Sequence, residues 1–194
     1  MNDKNDTSGK GAEKKAPLRI ALAGNPNCGK TTVFNGYTGS KQHVGNYPGV
    51  TVDRKEGQTE YDGRGIILVD LPGAYSLTSY SMEEIVARRE LALSNVQAVI
   101  DVTEASALER NMLLTVQLLE MGMPVVLACN MMDEAREAGI RIDLPRLSEL
   151  LNIPVVGMIA KEGVGMKEAL GDAVQLAQEG RRPPLRVSYG PDID

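Results

Sequence analysis

Tryptophan is absent, phenylalanine and histidine occur once each, and only two cysteines are found among 194 residues. Each scarcity excludes something. One Phe and six Tyr offer little aromatic surface for stacking bases, so a reader of single-stranded RNA is excluded. His43 alone cannot anchor a multi-histidine metal site. Cys28 and Cys129 lie far apart without CxxC spacing, and no compact scaffold calls for a disulfide, so a reducing compartment is expected. No apolar run approaches the ~18 residues of a membrane helix, the longest being Pro124 to Cys129, and the chain as given is expected to be soluble. Positive charge is short as well. Lys and Arg number 21 against 26 Asp and Glu, a net charge of −5, the wrong sign for holding nucleic-acid phosphates by bulk attraction.

What is present suits one α/β domain. A 42% hydrophobic content can fill one sizeable core, and the length does not reach two ordinary domains. Residues 1–17 contain no Leu, Ile, Val or Phe and read as a disordered leader. From Leu18 short apolar runs alternate with segments of helical period, the pattern of a mostly parallel sheet covered by helices. Six strands are expected, at Leu18–Ala23, Thr51–Tyr61, Gly65–Val69, Ala98–Val102, Val125–Cys129 and Val155–Ile159. About five helices are expected, at Gly29–Gly36, Met82–Leu93, Ala107–Met121, Leu144–Leu151 and Met166–Gln178, with Gly122 and Gly180 as stops. The domain should end near residue 179. From 180 to 194, Arg181, Arg182 and two prolines have the composition of a linker into a further domain that the chain interrupts.

Gly24-Asn25-Pro26-Asn27-Cys28-Gly29-Lys30-Thr31 fits G-x-x-x-x-G-K-[ST] between an expected strand and an expected helix, the context in which the pattern cradles phosphate. Gly24 and Gly29 let backbone N–H groups converge on phosphate oxygens at the positive end of a helix dipole. Lys30 supplies a charge between β- and γ-phosphates, and Thr31, followed by Thr32, supplies a hydroxyl for Mg²⁺. Asp70-Leu71-Pro72-Gly73 closes another strand, so that Asp70 can reach the same Mg²⁺ and the Gly73 N–H the γ-phosphate. Between them, Gly49-Val50-Thr51 sits in a loop suited to ordering around metal and phosphate, Thr51 being a third Mg²⁺ candidate. Asn130-Met131-Met132-Asp133 follows an apolar strand and thus lies at the same sheet edge. A carboxylate there can accept the N1–H and N2–H of guanine, whereas adenine would leave it unpaired, so Asp133 argues for GTP; it could also cap a helix. At Ile159-Ala160-Lys161 a backbone N–H could meet guanine O6.

In this order the motifs resemble the Ras-like P-loop GTPase fold. More narrowly, GNPNCGKTTVFN, VGNYPGVTVDRKEG and DLPGAYSLTSYSMEE resemble the cytosolic G domain of the FeoB family of bacterial ferrous iron transport proteins, over Leu18 to about Gln178. The resemblance implies a slow, Mg²⁺-dependent GTPase that regulates Fe²⁺ uptake at the cytoplasmic face of the inner membrane. It also implies helical and membrane domains as partners in the full-length protein, GTP and GDP as ligands, and no nucleic acid; self-association stays open. Switch loops are expected at residues 40–52 and 73–84. Asn27, Lys30, Thr51 and Gly73 are the catalytic candidates. Potassium-activated members carry Asn at the position of Asn27, which implies a K⁺ ion held by Asn27 and by carbonyls of the Gly45–Tyr47 stretch.

Some positions depart from the common GTPase pattern. Met131 stands where Lys is usual and can pack on the phosphate loop without bonding to it. Ala74 and Tyr75 follow Gly73 where many GTPases carry a water-orienting Gln, which leaves Glu83 and Glu84 as fallback candidates. Ile159 replaces a commoner Ser. Cys28, at a helix start, either is a small buried residue or has a thiol made acidic by the dipole. Two other functions remain open: a soluble ribosome-associated GTPase, and a nucleotide-loaded binding module without functional turnover.

Overall fold

The computed structural model describes residues 16–180. The expected leader, up to residue 15, and the expected linker beyond Gly180 lie outside the described residues. Seven strands form one sheet: β1 (Leu18–Gly24), β2 (Gln42–Asn46), β3 (Asp53–Tyr61), β4 (Arg64–Asp70), β5 (Ala98–Glu104), β6 (Val125–Asn130) and β7 (Val155–Gly157). Six helices cover it: α1 (Lys30–Thr38), α2 (Met82–Leu93), α3 (Leu108–Glu120), α4 (Met132–Glu137), α5 (Leu144–Leu151) and α6 (Met166–Glu179). The strand order is β2-β3-β4-β1-β5-β6-β7. β1 pairs in parallel with both β4 and β5, and β5-β6-β7 continue in parallel, while β2-β3-β4 is an antiparallel meander.

The central strands are apolar throughout because both of their faces are covered. On β1, Ile20 and Leu22 pack with Phe34 of α1 and with Leu170 and Val174 of α6. Ala21 and Ala23 point the other way, toward Leu91 of α2 and Leu114 and Leu118 of α3. Each fully buried Leu or Phe in these layers contributes about 1.5–3 kcal/mol. The chain moves from β1 toward β4 on one side and then to β5 on the other, so a crevice opens at the carboxyl end of β1, where the strand order reverses. Gly122 and Gly180, both at positive φ, follow α3 and α6 as expected.

Three expectations are corrected. The sheet has seven strands because β2 occupies part of the segment expected to be a loop. QHVGN has a single large apolar residue, Val44, and it is 58% exposed, so this edge strand buries no face that could leave an alternating pattern. The strand expected from Thr51 begins at Asp53, and the last strand stops at Gly157 because Ile159 turns to bridge Val164. The sixth helix, α4, starts inside the NMMD motif and is six residues long, too short to show a period.

Candidate functional site

The phosphate loop needs both of its glycines. Gly24 has φ +155°, and a Cβ there would collide with the Val102 carbonyl oxygen; Gly29 has φ +86°, and a Cβ would collide with Asn130 Nδ2. Between them the Cys28 N–H donates to the Asn25 carbonyl (3.3 Å), closing a turn in which exposed Asn27 adopts φ 67°. Pro26 lies against Gly73, and the Ala74 N–H donates to the Gly24 carbonyl (3.2 Å), so the DLPG segment is fastened to the loop.

Lys30, Thr31, Thr51, Asp70 and Gly73, from three separate chain segments, line one open cleft of about 410 Å³. The sequence placed Lys30 on phosphate and Asp70 on metal. In the structure they form an ion pair, with side chains only 12% and 7% exposed. Asp53 and Lys55 line the same cleft and were missed as neighbours, since only the strand register that sets Lys55 beside Asp70 brings them there, while Glu83, a fallback candidate, lines it from α2. Thr31, Thr51 and Asp70 offer two hydroxyls and a carboxylate, an all-oxygen set that suits a hard divalent cation. Thr32 is exposed on α1, and Gly49 and half-buried Val50 precede Thr51 in the loop between β2 and β3. The residues expected to hold a monovalent cation lie on different elements. Gly45 lies in the β2-β3 ladder opposite Arg54, the Tyr47 carbonyl accepts from the Val50 N–H (3.3 Å), and buried Tyr47 lines a separate cavity beside α2.

At the other end of the site Asn130 joins three motifs. Its Nδ2 donates to the Cys28 carbonyl (3.0 Å), and its Oδ1 accepts from the Ala160 N–H (2.9 Å). Of the Ile159-Ala160-Lys161 backbone N–H groups, one of which was expected to meet guanine O6, that of Ala160 is thus engaged within the protein. Met131, at φ 61°, brings its Cε to 3.5 Å from a Cβ built on Gly29, so its stem does pack on the phosphate loop. Asp133 Oδ2 pairs with Lys161 at 2.5 Å, a contact that holds its carboxyl below the ordinary aspartate range and raises the Lys161 ammonium. Asp133 Oδ1 is buried with no hydrogen-bond partner among the described residues. Ile159 carries only backbone function here, accepting from the Glu162 and Val164 N–H groups.

Both cysteines are buried. Burial pushes the thiols of Cys28 and Cys129 up to about 11, so the helix dipole does not make Cys28 acidic. Glu84 is structural as well. Ser81 caps α2 by accepting from the Glu84 N–H (3.1 Å), and the Glu84 carboxylate accepts from Ser76, Thr78 and the Tyr80 N–H. Burial pushes this carboxyl up, but those hydrogen bonds outweigh it and hold it low. The S-x-x-E spacing of Ser81 and Glu84 is a capping signal that the sequence itself displays.

Comparison with known proteins agrees with this fold. The family described as Ferrous iron transport protein B matches residues 18–173. The Fe(2+) transporter FeoB of Escherichia coli K12 is 48% identical over 161 residues, 81% of this chain and 21% of that protein. A Porphyromonas gingivalis Fe(2+) transport protein A/Fe(2+) transporter FeoB fusion protein is 46% identical over 181 residues, 91% of this chain and again 21% of the relative. The chain therefore spans about a fifth of the length of these curated relatives. The cytosolic domain of the T. maritima FeoB iron transporter, solved in apo form, superposes with a TM-score of 0.85 at 41% identity, covering 91% of this chain and 70% of that one. The T. maritima domain has also been solved in GDP and GMPPNP forms. Among the described residues no helix is long and apolar enough to cross a membrane. Matched by its motifs, its fold and 156 consecutive positions, the chain belongs to the FeoB family and carries that family's G domain.

Proposed function

We propose that this domain binds GTP with Mg²⁺ and hydrolyses it slowly, as the regulatory part of a ferrous iron transporter at the cytoplasmic face of the inner membrane. The observation that carries this is the single cleft collecting Lys30, Thr31, Thr51, Asp70 and Gly73. Lys30 and the phosphate-loop amides hold the phosphates, and the Gly73 N–H faces the γ-phosphate. Thr31, Thr51 and Asp70 are the residues that would hold Mg²⁺, which when bound neutralises charge developing on the phosphates. Nucleotide entry requires Lys30 to leave Asp70 for phosphate oxygens, which frees the carboxylate for metal. Asp133 Oδ1 stands as the guanine acceptor. Relatives solved with GDP and GMPPNP support nucleotide binding, and family membership leaves the ribosome-associated alternative without support.

Residues 40–52 and 73–84 are proposed as the parts that respond to the γ-phosphate. We assign no catalytic step to K⁺, for which Asn27 and the Gly45–Tyr47 carbonyls are the candidate ligands. Ala74 is buried and Glu84 is committed to its cap, so of the two fallback glutamates only Glu83 lines the cleft, and it carries a carboxylate where the missing glutamine offers an amide. Slow turnover is the consequence. Phosphate release from GTP, measured with Mg²⁺ and then with excess chelator, tests the reading. Turnover only with Mg²⁺ is expected; GTP binding without any turnover would instead favour the nucleotide-loaded binding module.

A further inference from the structure

Phosphate loops bind through backbone amides, so what holds the backbone in register matters as much as what touches the ligand. Two side chains from outside the loop grip it. Asn130 donates to the Cys28 carbonyl and holds the second half. The first half is held by Asn111, one turn into α3, whose Oδ1 accepts from Asn25 Nδ2 at 2.5 Å across 86 residues of sequence. Asn111 is 1% exposed and Asn25 3%. The Asn111 amide nitrogen in turn donates to the Glu104 carbonyl (3.4 Å), linking the contact to the end of β5. The Asn25 carbonyl also closes the turn that places Asn27 at positive φ. Asn111 belongs to none of the nucleotide motifs and is not among the residues lining the cleft.

We propose that Asn111 is a positioning residue for nucleotide turnover, fixing the first half of the phosphate loop through Asn25. The inference rests on the GTPase reading of the site. Removing the Asn111 amide leaves the Asn25 donor buried without its partner, and that mismatch is relieved most simply by moving Asn25. Because the Asn25 carbonyl and the Asn27 conformation share one turn, the displacement reaches the amides that face the phosphates. Misplacement by about 1 Å is enough to reduce turnover by an order of magnitude or more.

The test is a double-mutant cycle on GTP turnover at saturating nucleotide, with thermal unfolding of each variant recorded alongside. Asn111→Leu and Asn25→Ala should each lower kcat about tenfold at temperatures where the variants remain folded. The pair should be no slower than either single, since both remove one bond. Asn111→Asp, which keeps an acceptor for Asn25 Nδ2, should recover part of the loss. A merely structural role would lower the melting temperature and leave kcat of the folded protein unchanged. Turnover of Asn111→Leu within twofold of the unmodified protein, or losses that multiply in the double variant, would overturn the proposal. Should Asn111→Leu fail to fold, Asn25→Ala and Asn111→Asp address the same bond. If the unmodified protein released no phosphate from GTP, the GTPase reading would fall, and the same cycle run on fluorescent GDP affinity would still decide the anchor.

Discussion

Asp101 is a carboxylic acid in the wrong place for its charge. It lies on β5, opposite Ala23 of β1 and Leu127 of β6, and is fully buried. Oδ2 accepts from Thr115 Oγ1 (2.6 Å), while Oδ1 has no partner among the described residues. Burial pushes its carboxyl from the ordinary 3.8 up to about 6, against the opposing pull of the Thr115 hydroxyl. The folded state thus holds the proton more tightly than the unfolded state. The stability this residue contributes is complete below pH 3.8 and is lost as pH rises through about 6. The separation of the two values corresponds to roughly 3 kcal/mol. Since other carboxylates, such as those paired with cations, contribute slopes of opposite sign, the useful quantity is a difference. Urea unfolding of the unmodified protein and of Asp101→Asn at intervals from pH 4 to pH 7.5 provides it. Any misfit of the new amide is independent of pH and cancels in the slope. The variant should gain about 2–3 kcal/mol relative to the unmodified protein between the ends of that range. Thr115→Val, which removes the bond favouring the ionised form, should move the midpoint above 6. A difference that stays flat across the range would refute the assignment of a protonated, desolvated Asp101.

Lys30→Ala should weaken GDP and GTP binding by on the order of 2–4 kcal/mol, because a phosphate contact is lost and a buried carboxylate is stranded; calorimetric affinities unchanged from the parent would reject the phosphate-loop reading. Asp133→Asn should lose GTP by roughly 10⁴-fold and gain xanthosine triphosphate, whose extra carbonyl accepts from the new amide. Competition binding with the two nucleotides checks this, and retained preference for GTP would remove Asp133 from the base site. If the Gly45–Tyr47 stretch closes over Asn27 when GTP binds, turnover in KCl should exceed that in matched NaCl and Asn27→Ala should erase the difference. Equal rates in the two salts for the unmodified protein would count against a monovalent cation.

Legibility followed burial and chain locality. The phosphate loop, DLPG and NMMD were readable because each joins a buried apolar strand to a turn whose residue types are constrained over a few positions, as with Gly29 at φ +86°. The central strands were readable because two covered faces demand continuous apolar residues. β2 was not, since an exposed edge strand such as QHVGN makes no such demand. Nor was α4, whose six residues cannot establish a period.

An α/β phosphate-binding domain, the order of its motifs and the residue types offered to phosphate, metal and base follow from the amino-acid order alone, because these depend on local backbone chemistry and on the hydrophobic period. Which of those residues meet is a property of the folded chain. It set Lys30 on Asp70, Lys161 on Asp133, the Ala160 N–H on Asn130 and Asn25 on Asn111. Those pairings join residues brought together by parallel crossovers and strand register, and contacts so distant along the chain leave no trace in the spacing of either partner.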